Sequence, residues 1–176
     1  MCPAAHEPIE YAQTRDGIVI IRVHGKGTHQ NSAGIKTILD RTKNANPPAR
    51  YIIDLRDCEA LDSTFMGILA SLALHQKKRL GTAPIVLNMS PHVQRLLETL
   101  GLKYLLDLRT AEPVSANTSD EDFKPQQTPE LSKEERLVMM IQAHHRLIDV
   151  DSQNELKFRG VLHALRESLE RERGQT

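Results

Sequence analysis

Short runs of apolar residues in the N-terminal part of the chain have the period and composition of β-strands. β-branched residues dominate positions 18–24, and positions 50–55 contain an apolar run, which predicts two strands. Positions 9–13 alternate weakly between apolar and polar residues and predict an edge strand that forms a hairpin with 18–24. A short buried strand is predicted at 85–87, and positions 104–108 form either a last strand or a final turn.

Between these runs, apolar residues recur every three or four positions, which predicts three helices. The first begins at Asn31 or Ser32, where small polar side chains precede the apolar period. The second follows Asp62, and the third extends from Ser90 to Gly101. Strands that alternate with helices predict an α/β fold, in which a mixed β-sheet packs against α-helices.

The composition changes after this α/β domain, which we assign to residues 1–109. Residues 110–130 are rich in Pro, Ser, Thr, Asn and Gln and predict a flexible linker. Capping-box patterns at Ser132 and Ser152 then open two amphipathic helices, so residues 131–174 are expected to form a helical hairpin. Two helices alone bury too little apolar surface, so the hairpin should dock on the main domain, on a second copy or on a partner. Its expected apolar face comprises Leu137, Ile141, Ile148, Phe158, Leu162, Leu165 and Leu169.

Composition and charge argue against several classes of function. The 23 Lys and Arg residues balance 23 Asp and Glu residues, and aromatic residues make up 3%, so no nucleic-acid partner is expected. No apolar run approaches the roughly 20 residues of a membrane span, so no membrane partner is expected. The two cysteines, Cys2 and Cys58, cannot build a disulfide framework, which favours a cytoplasmic location.

Three consecutive polar residues, Asp62, Ser63 and Thr64, lie between the strand at 50–55 and the second helix. Each is a good helix N-cap, and a helix N-terminus tolerates an added anion. If Ser63 is itself the cap, its hydroxyl has only a structural role. If Asp62 is the cap, the hydroxyl of Ser63 is free to accept a phosphate group.

The eight histidines do not form a recognised metal-binding motif. His144 and His145 are adjacent and point about 100° apart on a helix, so we expect one to face the core of the hairpin and the other to face solvent. Sequence order alone reveals no arrangement of nucleophile and base. We therefore expect no catalytic residues, no cofactor and no metal ion.

The order of the elements and several segments together resemble the STAS domain, and specifically the bacterial anti-sigma factor antagonists. The resemblance covers residues 9–109. The segments that carry it are Tyr51-Ile52-Ile53-Asp54-Leu55, Leu61-Asp62-Ser63-Thr64, Gly67-Ile68-Leu69, Asn88-Met89-Ser90-Pro91-His92-Val93 and Leu96-Leu97-Glu98-Thr99-Leu100-Gly101-Leu102.

The resemblance implies regulation of transcription by partner switching. In this scheme the unphosphorylated protein binds an anti-sigma factor that is also a serine kinase, and the sigma factor is released. The kinase then phosphorylates the serine after the aspartate, here Ser63, and the complex dissociates. A phosphatase of the PP2C type restores the unmodified protein. The expected partner-binding residues are Asp62, Ser63, Thr64, Phe65 and Met66, and no enzymatic activity is implied.

One position departs from the family pattern, because Phe65 stands where the family usually has glycine, whereas Gly67 matches a second family glycine. A bulky residue is therefore expected at the docking face. An alternative function is a scaffold or adaptor that works without phosphorylation, in which the C-terminal hairpin forms a homodimer or recruits another protein. A third alternative is the STAS component of a lipid or anion transport complex.

Overall fold

The computed structural model describes residues 8–109 and 122–174, and it contains eight strands and five helices within those ranges. The strands are β1 (Ile9–Gln13), β2 (Ile18–Val23), β3 (Gly25–Gly27), β4 (Arg50–Asp54), β5 (Cys58–Leu61), β6 (Ile85–Leu87), β7 (Asp107–Arg109) and β8 (Lys124–Pro125). The helices are α1 (Ser32–Thr42), α2 (Ser63–Leu80), α3 (Pro91–Thr99), α4 (Lys133–Val150) and α5 (Asn154–Arg173).

Six of these strands form one mixed sheet in the order β7-β6-β4-β2-β1-β8. The neighbours β7, β6, β4 and β2 run parallel, whereas β1 pairs antiparallel with both β2 and β8. The predicted hairpin is present, with Ile9 opposite Val23. The prediction of a mixed sheet packed against helices is therefore confirmed.

The core consists of the β-branched residues of the central strands and the apolar residues of the helices. Val19, Ile21, Ile53 and Val86 are fully buried, as a central strand covered by helices requires. Phe65 of α2 is also fully buried, and a Cβ atom on Gly27 would lie 2.9 Å from its ring. The start of α2 is thus packed tightly beneath β3.

Two elements of the fold differ from the sequence prediction. The sequence pattern predicted no strand at residues 25–27 or 58–61. These residues form β3 and β5, a short parallel pair joined by backbone hydrogen bonds and shifted by an irregularity after Gly25. The last strand also begins later than position 104, because residues 102–104 form a 3-10 turn before β7.

Residues 122–130, the last part of the predicted linker, include a short strand. Strand β8 pairs with β1, and the backbone N–H of Gln126 donates to the carbonyl of Ile9 at 2.8 Å. The guanidinium of Arg22 lies 3.6 Å from the ring centre of Phe123. Residues 110–121, where the rest of the linker was predicted, lie outside the described residues.

The two C-terminal helices form the predicted hairpin, and α4 packs along α2 of the α/β domain. The capping box at Ser132 is present, with both reciprocal bonds to Glu135. The box predicted at Ser152 is wrong, because α5 begins at Asn154 after Gln153, which makes no side-chain cap bond. The backbone N–H of Gln153 instead bonds to the carboxylate of Asp151 at 2.9 Å, which closes the turn.

The buried faces of the hairpin agree only partly with the expected ones. Leu137, Phe158, Leu162 and Leu165 are buried as predicted. Ile141, Ile148 and Leu169 are only half-buried, and their places on the inner side are taken by Met139, Ala143, His144 and Leu147. Because α4 packs against α2 on one side and against α5 on the other, its buried face is wider than the predicted one.

Replacing Phe65 with alanine tests whether this side chain belongs to the core. Because Phe65 is fully buried, Phe65→Ala should lower the free energy of unfolding by about 3–5 kcal/mol, as measured by urea denaturation. The control is Leu156→Ala, since Leu156 is 73% exposed and its loss should change stability by no more than about 0.5 kcal/mol. Equal effects of the two substitutions would contradict the assigned packing.

The thiol of Cys58 gives a second test of the packing. Burial raises the pKa of Cys58 from its ordinary value of 9.0 to about 11, although backbone hydrogen bonds at Gly27 and Ala60 oppose the shift. At pH 8 this shift reduces the thiolate fraction about 100-fold, so alkylation of Cys58 in a Cys2→Ser chain should be at least that much slower than in urea. Rapid alkylation of the folded chain would show that the thiol is accessible.

Candidate functional site at the start of helix α2

Asp62 is the N-cap of α2, and both of its carboxylate oxygens are used. Its backbone is extended, and Oδ1 accepts a hydrogen bond from the backbone N–H of Phe65 at 2.8 Å. Oδ2 accepts from the backbone N–H of His29 at 2.7 Å and lies 3.2 Å from Nδ1 of the same residue. One carboxylate therefore caps the helix and fixes the loop before α1 against it.

Ser63 is the first residue of α2, and its side chain takes no part in the cap. Its Oγ lies 2.8 Å from Nε2 of His144 in the C-terminal hairpin. The other ring nitrogen, Nδ1, lies 2.7 Å from the backbone carbonyl oxygen of Met140. A carbonyl only accepts, so Nδ1 carries the proton in the neutral ring and Nε2 accepts the hydroxyl proton of Ser63.

The imidazole of His144 is held on several sides. His144 is only 2% exposed. The ring of Phe158 packs edge to face against the imidazole, with 4.8 Å between the two ring centres. The neighbouring His145 is exposed, as expected for adjacent positions of a helix. The prediction that one of the two histidines faces inward is confirmed, and the inward one is His144.

One turn after Ser63, the helices α2 and α4 touch through their backbones. A Cβ atom on Gly67 would lie 2.3 Å from the carbonyl oxygen of Ala143, so no side chain fits at that position without displacing α4. Ala143 itself is 1% exposed. The contact requires small residues on both helices, as close helix crossings do.

A second contact holds the turn of the hairpin to the end of α3. Asn154 is fully buried, and its side-chain amide donates to the carbonyl of Leu100 at 3.1 Å and to that of Leu147 at 2.8 Å. Nearby, Nζ of Lys157 donates to the carbonyl of Thr99 at 2.7 Å. The bonds to Thr99 and Leu100 satisfy carbonyls at the C-terminus of α3, whereas the carbonyl of Leu147 also accepts from the backbone N–H of Asp151.

The five residues predicted to bind a partner are differently exposed. Asp62 and Ser63 are half-buried, whereas Thr64, Phe65 and Met66 are buried. The side chain of Phe65, which was expected at the docking face, is fully buried and turns inward towards Gly27. The role of these residues in binding stays a prediction.

The sequence interpretation missed the contribution of His144 to this site. A signal was present, since His144 lies three residues after Ile141 and four before Ile148, on the predicted apolar face of its helix. A polar residue at such a position needs a partner, but sequence spacing does not reveal which one. Ser63 and His144 are 81 residues apart, and only the docking of the hairpin joins them.

A separate polar cavity lies beyond the carboxyl ends of β2 and β4. It is lined by Glu10, Arg22, His24, Asp54, Arg56, Asp57 and Phe123. His24 lies 3.1 Å from Glu10 and 3.4 Å from Asp57, so the charged groups of this cavity largely pair with one another. Within residues 8–109 and 122–174, no group of three His, Cys, Asp or Glu side chains has an arrangement that could hold a metal ion. No described helix is both long and apolar enough to cross a bilayer.

Solved structures with the same fold include anti-sigma factor antagonists. SpoIIAA in its unphosphorylated form matches with a TM-score of 0.50 and 15% identity, over 59% of this chain and 89% of that one. A proposed anti-sigma factor antagonist from Thermotoga maritima matches with a TM-score of 0.50 and 19% identity, over 60% of this chain and 86% of that one. The phosphorylated form of Bacillus SpoIIAA matches with a TM-score of 0.49 and 17% identity, over 59% and 91%. No curated protein matches the sequence.

The family assignment follows from the sequence match together with this fold. The sequence profile of the STAS domain matches residues 11–119, which is more than half of the chain. That range contains the whole sheet except β8 and the first residues of β1, together with the Asp62 cap and Ser63. The chain therefore belongs to the STAS domain family and carries an additional helical hairpin at its C-terminus.

Proposed function

We propose that this protein is an anti-sigma factor antagonist that acts by partner switching, with Ser63 as its phosphate acceptor. The observation that carries the proposal is the cap of α2. Asp62 supplies the capping oxygen, so the hydroxyl of Ser63 is not needed for helix formation. The protein would act by binding, without catalysis of its own, in the manner of the family that it belongs to.

Phosphorylation would proceed by attack of Oγ of Ser63 on the γ-phosphorus of ATP, held by an anti-sigma factor serine kinase. The bond from Oγ to phosphorus forms, the bond from phosphorus to ADP breaks, and the hydroxyl proton passes to a base of the kinase. A phosphatase of the PP2C type would reverse the modification by hydrolysis. The similarity in fold to antagonists such as SpoIIAA supports this scheme.

The position of Ser63 favours a modification that changes binding more than folding. A phosphate group adds about −1.5 to −2 charges at pH 7. The dipole of α2 offsets part of this charge, by about 0.3–1 kcal/mol, so the domain should stay folded. The added charge beside the carboxylate of Asp62 would weaken docking, and a coupling of about 1–3 kcal/mol changes affinity roughly 5- to 150-fold.

A specific observation favours one alternative, the adaptor that works without phosphorylation. The hydroxyl of Ser63 is already bonded to a buried imidazole, and α4 covers the adjacent turn of α2. If the hairpin stays docked, Ser63 has only a structural role and the exposed surface of the hairpin is available for a partner or for a homodimer. Light scattering of the purified chain shows directly whether it forms a homodimer.

Substitution of Ser63 separates the two functions. In the switch, Ser63→Asp should weaken binding to the anti-sigma factor kinase at least fivefold, whereas Ser63→Ala should bind at all times and gain no phosphate. Binding is measured by calorimetry and phosphate by intact mass. Ser168→Ala is the control, since the half-buried Ser168 bonds to Ala164 and Arg171 of its own helix, and it should behave like the unsubstituted chain. Equal affinity of all four chains would favour the adaptor and contradict the switch.

A further inference from the structure

We propose that the C-terminal hairpin is an intramolecular competitor that occupies the partner-binding face of α2, so that the hairpin and an external partner bind Ser63 in turn and never together. The face in question consists of Ser63 and Gly67, one helical turn apart, and is called the Ser63 face below. The competition between the hairpin and a kinase rests on the proposed function, because that function supplies the kinase. The masking of Ser63 by the hairpin is independent of any kinase.

The first argument is the hydrogen bond between Ser63 and His144. The hydroxyl proton of Ser63 points to Nε2 of a ring that is 2% exposed. A kinase has to place a base near this proton and a phosphorus atom near Oγ. In the docked chain His144 of α4 occupies the position that this base needs, so α4 has to move before phosphoryl transfer.

The second argument is the absence of space at Gly67. The carbonyl of Ala143 lies so close to Gly67 that even a methyl group would overlap it. No part of another protein can therefore lie between α2 and α4 at this level. An external helix that approaches this face has to bring its own small residue to Gly67, as α4 does with Ala143, and it has to replace α4 to do so.

The third argument is the connection between the hairpin and the sheet. Gln126 is bonded to Ile9 of strand β1, so only residues 127–132 separate this fixed point from α4. A short connection of this kind keeps the local concentration of the hairpin at the Ser63 face in the millimolar range. The apparent dissociation constant of a partner is then its intrinsic value divided by the fraction of chains with an open hairpin.

The hairpin and the α/β domain meet through both apolar and polar contacts. The polar ones include the bonds from His144 to Ser63 and from Asn154 to Leu100, whereas Met139, Ala143 and Leu147 are buried in the same core as the apolar residues of α2. The two helices of the hairpin also pack against each other, with Phe158 against His144, so they can move as one unit. Water can satisfy the polar groups that release exposes, whereas the apolar contact of α4 with α2 has to be replaced by that of a partner, as competition for one face requires.

The test uses the full chain and a larger side chain on the hairpin alone. Ala143→Leu overfills the contact with Gly67, whereas Ala164→Leu makes the same change on the exposed side of α5. Each is combined with Cys2→Ser and Ser63→Cys, and the labelling rate of the new thiol with a maleimide of polyethylene glycol is measured. Ala143→Leu should label about tenfold faster than the parent, a change that corresponds to about 1.4 kcal/mol.

The chemistry of the thiol strengthens this readout. An imidazole beside a thiol favours the reactive thiolate, so loss of His144 from the site lowers intrinsic reactivity and cannot cause a faster rate. Cys58 reports on the fold in the same sample, because it stays unlabelled as long as the α/β core is intact. Asn154→Ala, which removes the second anchor, should also accelerate labelling, whereas the exposed neighbour Gln153→Ala should not.

The outcomes distinguish the inference from the proposed function. Equal labelling rates in the parent, Ala143→Leu and Asn154→Ala chains, with Cys58 protected, would overturn the masking. In chains that retain Ser63, we expect Ala143→Leu to bind and be phosphorylated by an anti-sigma factor serine kinase about tenfold more readily than Ala164→Leu. Faster labelling with no phosphorylation of any chain would support the masking and overturn the proposed function. Equal phosphorylation of all chains would support the function and overturn the competition.

Discussion

The carboxylate of Asp62 determines how the start of α2 is used. One oxygen closes the first turn of the helix, and the other holds the loop at His29, so the helix, the loop and the short pair β3–β5 are joined at one point. Because this aspartate completes the cap, the following serine is free to bond elsewhere, and it bonds to the hairpin. A serine cap would have left no hydroxyl for either a histidine or a phosphate group.

Local features of the fold could be predicted because they depend on neighbouring residues. Ser90 caps α3 with a proline in the first turn, and Gly81 and Gly101 follow helices with the left-handed backbone that glycine permits. The order of strands and helices follows from the apolar period in the same way. The position of Ser63 at the start of a helix was part of this local information.

The parts that could not be predicted depend on contacts between distant residues. The strand pairs β3–β5 and β1–β8 join short segments whose composition is typical of turns or linkers, so neither has a local signal. The bond between Ser63 and His144 needs the docking face of the hairpin, which a helical period does not specify. Phe65 was assigned to the surface by analogy with a family glycine, whereas burial against Gly27 requires knowledge of β3.

Strand β8 affects how copies of this chain can associate through the edges of their sheets. An uncovered edge strand exposes backbone N–H and C=O groups to which another chain can add a strand. Here β8 lies along β1, and Pro125 within it has no N–H to offer to a further strand. A further strand on that side would therefore find only two residues to pair with and would lack one backbone donor. Self-association of the protein would have to involve the opposite edge or the helices, and helix contacts bring less risk of cross-β aggregation.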